Sequence, residues 1–200
     1  MKYEDILKRI GVNDGEVINA YQYGSRVYGN YTKKSDYDYI FILKTVDNEQ
    51  FSDNQININF FTLENHINRV KEHEISALET LFITNDFILK ENKKVDFKLD
   101  KSKLRHSLSA KSSNSWVKAK KKLTIPQDYD LDIGRKSLFH SFRIIDFGIQ
   151  IANNGRIINY SSCNDLYSEI MSYYEWSELF NTFKLRYNQL ISDFRKVAEK

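Results

Sequence analysis

"GSRVYGNYTKKSDYDYIFIL", residues 24–43, decides how the chain is read. It opens with Gly24-Ser25 behind a Tyr-rich run and closes with Asp36 and Asp38 leading into "DYIFIL" (38–43), a strong β run. Residues two apart in a strand point to the same face, so Asp36 and Asp38 present two carboxylates side by side. Like charges that close repel unless a cation sits between them. Mg²⁺ takes oxygen ligands at about 2.0–2.1 Å and is commonly held by one or two carboxylates plus substrate phosphates. A Gly followed by Ser at a strand-to-helix turn lets the backbone approach a phosphate, and the Ser hydroxyl can donate to it. Arg26 adds charge beside them.

Outward from this stretch, apolar positions at Tyr3, Ile6, Leu7 and Ile10 predict a short helix that Gly11 can end. "EVINAYQYG" (16–24) predicts a strand running into the turn at Gly24, and "QININFF" (55–61) another strand. "ENHINRVKEHEISALETLFI" (64–83) has the length and spacing of one helix. Residues 84–100 are polar and lysine-rich and read as a connection. Beyond them the pattern is helical: "GRKSLFHSFRIIDFGIQIANNG" (134–155), stopped by Gly155, and "WSELFNTFKLRYNQLISDFRKVAEK" (176–200). "TIPQDYDLD" (124–132) holds the single proline and reads as a loop. The expected fold is α/β (α+β), a small mixed-sheet core over 1–88 followed by a helical part over 100–200. Seven Gly and one Pro in 200 residues disfavour an all-β sandwich built on tight turns.

An aromatic share of 14% and an apolar share of 41% exclude a disordered chain. One cysteine, Cys163, leaves no intramolecular disulfide, and the charged start "MKYEDILKRI" has no apolar signal core. No apolar run reaches the roughly 20 residues that span a bilayer. The expectation is a cytoplasmic protein with no membrane partner. The net charge of +3 is unevenly spread. Residues 90–122 carry twelve Lys/Arg against three acids, which attracts polyanions or serves as a solvated face.

The form "GSRVYG…SDYD", with Asp36 eleven residues after Ser25, resembles the signature of the DNA polymerase β-like nucleotidyltransferase superfamily. It looks closest to the predicted nucleotidyltransferases associated with RNA repair. "SALETLF" (76–82) is similar to that group's helix after the third strand, and "KSLFHSFRIIDFGIQIANNGRI" (136–157) to its helix with a Lys, a His and an Arg. The resemblance covers about 20–160 in patches. It implies transfer of a nucleotidyl group from an NTP to an acceptor hydroxyl, with release of pyrophosphate. Asp36 and Asp38 would hold Mg²⁺ (or Mn²⁺), and Gly24, Ser25 and Arg26 the phosphates. Lys136, His140 and Arg143 recur with Phe147 at i, i+4, i+7 and i+11 and share a helix face. By resemblance the first three line the cleft and meet the triphosphate or base; on spacing alone they equally describe a core histidine and a surface ion pair.

The chain departs from the family in one respect. A third carboxylate is expected on a neighbouring strand, where "QININFF" offers Asn57 and Asn59. An amide oxygen ligates a metal weakly and takes no proton, and losing a general base costs about 10²–10⁴-fold. Asp53 is four residues from Asn57, about 13 Å along a strand; Glu74 and Glu79 on the following helix are other acids. Three readings follow. The acceptor is RNA, met through the basic 90–122 stretch; or a protein hydroxyl, as in minimal nucleotidyltransferases that adenylylate a partner; or the site only binds nucleotide or RNA.

Overall fold

The computed structural model describes residues 1–199. The chain forms two compact units, Met1–Lys98 and a second from Leu99 onward.

In the first unit, α1 (Tyr3–Ile10) ends at Gly11 in the left-handed conformation and β1 (Val17–Tyr23) follows. A single-turn helix α2 (Ser25–Tyr28) leads through a loop to β2 (Tyr37–Leu43). The short β3 (Glu49–Ser52) and β4 (Ile56–Thr62) come next, then α3 (Leu63–Lys71), α4 (Ile75–Phe82) and β5 (Ile88–Glu91). The sheet order is β3-β4-β2-β1-β5. β2 and β4 run parallel; the other pairs are antiparallel. The mixed α/β core expected from the sequence is therefore present.

Alternation along β2 and β4 sets the two faces. Tyr39, Phe41 and Leu43 join Ile56, Ile58, Phe60 and Ala20 against Ile6 and Leu7 of α1. Asp38, Ile40 and Ile42 take the other face, in register with Tyr23, Tyr21 and Asn19 of β1. The acids thus stand at the mouth of a strand whose later residues, Ile40 and Ile42, are fully buried.

The structure corrects several expectations. Residues 64–83 form two helices, because His73 adopts φ +55° and breaks the chain between them. Its ring lies 5.1 Å from that of Phe97 and is almost wholly buried, so packing stabilises a conformation unfavourable for a non-glycine residue. Residues 84–100 are not only a connection: β5 pairs with β1 there. The buried Asn19 amide accepts from the Asn92 and Lys93 N–H groups and donates to the Lys93 carbonyl, pinning the strand's end. Edge strands bury little, so β3 and β5 carry no apolar pattern.

In the second unit, α5 (Lys101–Thr124) and α6 (Leu131–Asn154) pack with α7 (Asn164–Met171) and α8 (Trp176–Val197). Asp100 caps α5 and Asp130 caps α6, so α6 begins within the segment read as a loop. Gly155 ends it with φ +71°. The core gathers Trp116, Leu138, Phe139, Phe142, Leu179 and Phe183, with Trp116 stacked 4.4 Å from Tyr187. Among the described residues no helix is long and apolar enough to cross a membrane.

His66 of α3 is fully buried, its ring 6.4 Å from that of Tyr21. Burial, with the nearby Arg69 charge, pushes its pKa down to about 4. The folded state holds it neutral, while the unfolded chain takes a proton below about 6.5. Stability is therefore complete above that pH and falls as pH drops from about 6.5 through 4, by up to about 3 kcal/mol. His66→Phe is expected to flatten this dependence in chemical denaturation followed between pH 4 and 7. An unchanged pH slope in the variant would contradict it.

Candidate active site

The site is built where β1 hands over to α2 and where β2 starts. Gly24 has φ +80° and ψ −159°, a region closed to residues with a side chain. Its carbonyl accepts the Val27 and Tyr28 N–H groups at 3.0 and 3.1 Å. A Cβ at Gly24 would lie 2.2 Å from Asp38 Oδ2 and 2.9 Å from its Cγ. The Asp38 carboxylate thus occupies the space that glycine leaves, directly over the backbone that leads into Ser25.

Asp36 and Asp38 converge on one point. The Asn57 Nδ2 donates to Asp36 Oδ2 and to Asp38 Oδ1, each at 3.3 Å. The β2–β4 register pairs Asp38 with Asn57, and the β3–β4 register pairs Asn57 with Ser52. The Ser52 hydroxyl donates to Asn57 Oδ1 at 2.6 Å. That bond fixes which end of the amide faces the carboxylates. Of the two asparagines of β4, Asn57 is the one that reaches both carboxylates; Asn59 lies one pleat deeper and donates to the Tyr23 hydroxyl at 2.8 Å.

Behind this point lies a buried polar cluster. Burial raises the Tyr23 pKa, and the Asp38 and Glu79 charges raise it further, so Tyr23 stays a phenol. The carboxylate of Glu79, on α4, is almost wholly buried and accepts the Tyr28 hydroxyl at 2.6 Å. Of the alternative acids, Glu79 is therefore brought behind the site. Asp53 is in the β3–β4 turn, accepts the Gln55 and Ile56 N–H groups and pairs with Arg9, while Glu74 pairs with Arg69. Tyr28→Phe removes the hydroxyl from a buried carboxylate and is expected to cost about 1–3 kcal/mol. Urea denaturation would show it as a lower midpoint with an unchanged slope; an unshifted midpoint would exclude the bond from the stability of this face.

Arg26 is committed to the backbone. Its Nη2 donates to the Ser35 carbonyl at 2.7 Å and its Nε to that of Asp36 at 3.3 Å. Its guanidinium stacks over the Tyr37 ring at 3.7 Å. Arg26 thus fastens the loop that carries Asp36. Beside Asp36 a groove of about 520 Å³ runs past Arg26, Lys33, Lys34, Tyr37, Asn54 and Gln55. A smaller recess of about 270 Å³ is lined by Asp38, Ser52, Asn57 and Asn59.

Lys136, His140 and Arg143 belong to α6 in the second unit, whereas both carboxylates belong to the first. Lys136 is exposed and Arg143 is buried. Burial, with the charges of Arg143, Lys118 and Lys136, holds His140 well below the usual imidazole pKa, so it is neutral. The basic 90–122 stretch is divided between the units. Lys90 sits on β5, bonded to Asp14, whereas Lys111, Lys118, Lys120 and Lys121 are carried on α5.

Two carboxylate oxygens aimed at a common donor suit one hard cation whose other ligands come from phosphate and water. Among the described residues no group of three or more His, Cys, Asp or Glu side chains is placed to hold a metal. Ser52 carries no signal of its own in the sequence, and the bonds of Tyr23 to Asn59 and of Tyr28 to Glu79 are seen only in the folded chain. A scan against protein-family models finds no match, and a search of curated proteins finds none either.

Proposed function

We propose that the first unit is a nucleotidyltransferase that moves an NMP from an NTP to a hydroxyl on RNA. The observation that carries this reading is Asp38 seated on Gly24 and converging with Asp36 on one point. That arrangement puts one hard anionic ligand against the Gly24 backbone and a second converging with it beside Asn57. The resemblance of "GSRVYG…SDYD" to the RNA-repair group adds the substrate class.

Gly24 and Ser25 take the β- and γ-phosphates. Asp36 and Asp38 would hold Mg²⁺ or Mn²⁺, which supplies neutralisation of the charge that develops on the transferred phosphoryl oxygens. The acceptor oxygen bonds to the α-phosphorus, the bond from that phosphorus to the bridging oxygen breaks, and pyrophosphate leaves. Asn57 accepts no proton, so the hydroxyl proton passes to water or to a phosphate oxygen of the substrate. Asn57 instead spreads the charge of Asp36 and Asp38 through its bridging amide. That same bridge favours a second reading, a module that binds nucleotide without turnover.

The test uses α-³²P-labelled ATP, GTP, CTP and UTP with Mg²⁺ or Mn²⁺, offered total RNA and cell lysate. Asp36→Ala/Asp38→Ala runs alongside. Label on RNA that vanishes in the double variant is the expected result. Label on protein names the other acceptor class. Nucleotide binding without label or pyrophosphate supports the second reading.

A further inference from the structure

We infer that the groove beside Asp36 is the docking site for the acceptor, a single-stranded RNA end held by Lys33, Lys34 and Tyr31. This rests on the transferase reading and extends it to a residue-level acceptor site.

The first argument is positional. Asp36 lines the groove, and so does Arg26, the residue that follows Ser25 on α2. An acceptor held in the groove is therefore next to one carboxylate of the site and to the cradle. The acceptor oxygen bonds to the α-phosphorus, the bond from that phosphorus to the bridging oxygen breaks, pyrophosphate leaves and the proton goes to solvent.

The second argument is charge. Arg26, Lys33 and Lys34 line the groove against Asp36 alone. Among the described residues neither lysine ammonium makes an ion pair. The backbone under them is fixed. Ser35 N–H donates to the Thr32 carbonyl at 3.0 Å, Lys34 N–H to Thr32 Oγ1 at 3.2 Å and Thr32 N–H to Ser35 Oγ at 2.9 Å. Arg26 holds the far end of the same turn. Two unpaired lysines on a braced turn suit consecutive phosphates.

The third argument selects RNA over a protein. Arg26 is stacked between Tyr37 and Tyr31, the latter 4.9 Å away and 53% exposed. Exposed aromatics interleaved with cations are what unpaired bases stack on. At the end of α5 the exposed ring is Tyr129, but the lysine bonded to that segment, Lys122, is already paired with Asp128, and Trp116 is buried against Tyr187.

The test measures fluorescence anisotropy of a labelled single-stranded RNA oligonucleotide without NTP, over a salt series. Lys33→Glu/Lys34→Glu is expected to weaken binding at least about tenfold and to reduce the salt slope by about two. Tyr31→Ala is expected to weaken it about fivefold to a hundredfold, the range for one lost stacking contact. Lys120→Glu/Lys121→Glu, on α5, is expected to stay within about threefold of wild type, as a pair outside the groove should. Binding of a fluorescent ATP analogue and the thermal midpoint serve as controls for the cradle and the fold. Unchanged affinity in the lysine pair, loss only in the α5 pair, or no RNA binding by wild type would each overturn the inference. So would label passing to a protein instead of RNA. If RNA binding follows Lys33 and Lys34 but no pyrophosphate is released, the groove stands and the transferase reading falls.

Discussion

Gly24→Ala is expected to lower nucleotidyl transfer by at least about 100-fold while leaving the chain folded. Two independent causes act at one atom. The backbone at φ +80° and ψ −159° is in a region open essentially to glycine, so alanine there is strained by about 1–3 kcal/mol. The new methyl would also sit 2.2 Å from Asp38 Oδ2, which no contact permits. Asp38 must then swing away from the cradle, out of its convergence with Asp36 on Asn57. A displacement of about 1 Å in a reacting constellation is enough for a loss near 100-fold. Gly15→Ala is the matched control, because nothing lies within 4 Å of the place its methyl would take and its backbone is ordinary. Pyrophosphate release and thermal midpoint measured on both variants decide the matter. Transfer by Gly24→Ala close to the wild-type rate would mean that Asp38 does no work from this seat.

The same residue shows what was legible in advance. Gly24-Ser25 and Asp36-x-Asp38 announce a strand, a turn and a second strand, because apolar alternation and a turn glycine are local properties. The register between β2 and β4 is not local. Only the assembled sheet separates Asn57, which reaches both carboxylates, from Asn59, which reaches Tyr23. On the sequence the two are alike, two residues apart on one face. The edge strands escaped for a related reason. β3 and β5 take part through backbone bonds and a buried Asn19, not through an apolar stripe. His73 hid the break between α3 and α4, since its left-handed backbone is stabilised by packing on Phe97 from far along the chain. A cation beside Gly-Ser suggests a phosphate ligand, and that is all the sequence says of Arg26. Its bonds to the carbonyls of Ser35 and Asp36 could be found only once the loop was closed.

Asn57→Asp is expected to act in the opposite direction to Gly24→Ala, raising the transfer rate by about 100-fold or more at neutral pH. The position already has the geometry for a base: it pairs with Asp38 across β2 and β4, and its side chain reaches both carboxylates. What it lacks is an oxygen able to take the acceptor's proton, a function worth about 10²–10⁴-fold. The Ser52 hydroxyl, now donating to Asn57 Oδ1, can donate equally to a carboxylate, so the new side chain keeps its anchor. The change also removes the amide that bridges Asp36 and Asp38 and adds a third negative charge beside them. Without a divalent cation this variant is therefore expected to melt at lower temperature than wild type, and Mg²⁺ is expected to restore more stability to it than to wild type. Thermal midpoints with and without Mg²⁺ read that effect independently of any turnover. The gain over wild type should shrink at low pH as the new carboxylate becomes protonated, so the ratio of the two rates falls with pH. A variant stabilised by Mg²⁺ but no faster would mean that proton transfer does not limit the reaction and that two acids suffice. A variant with neither response would take the cation away from Asp36 and Asp38 altogether, leaving Asn57 as the brace of a site that only binds.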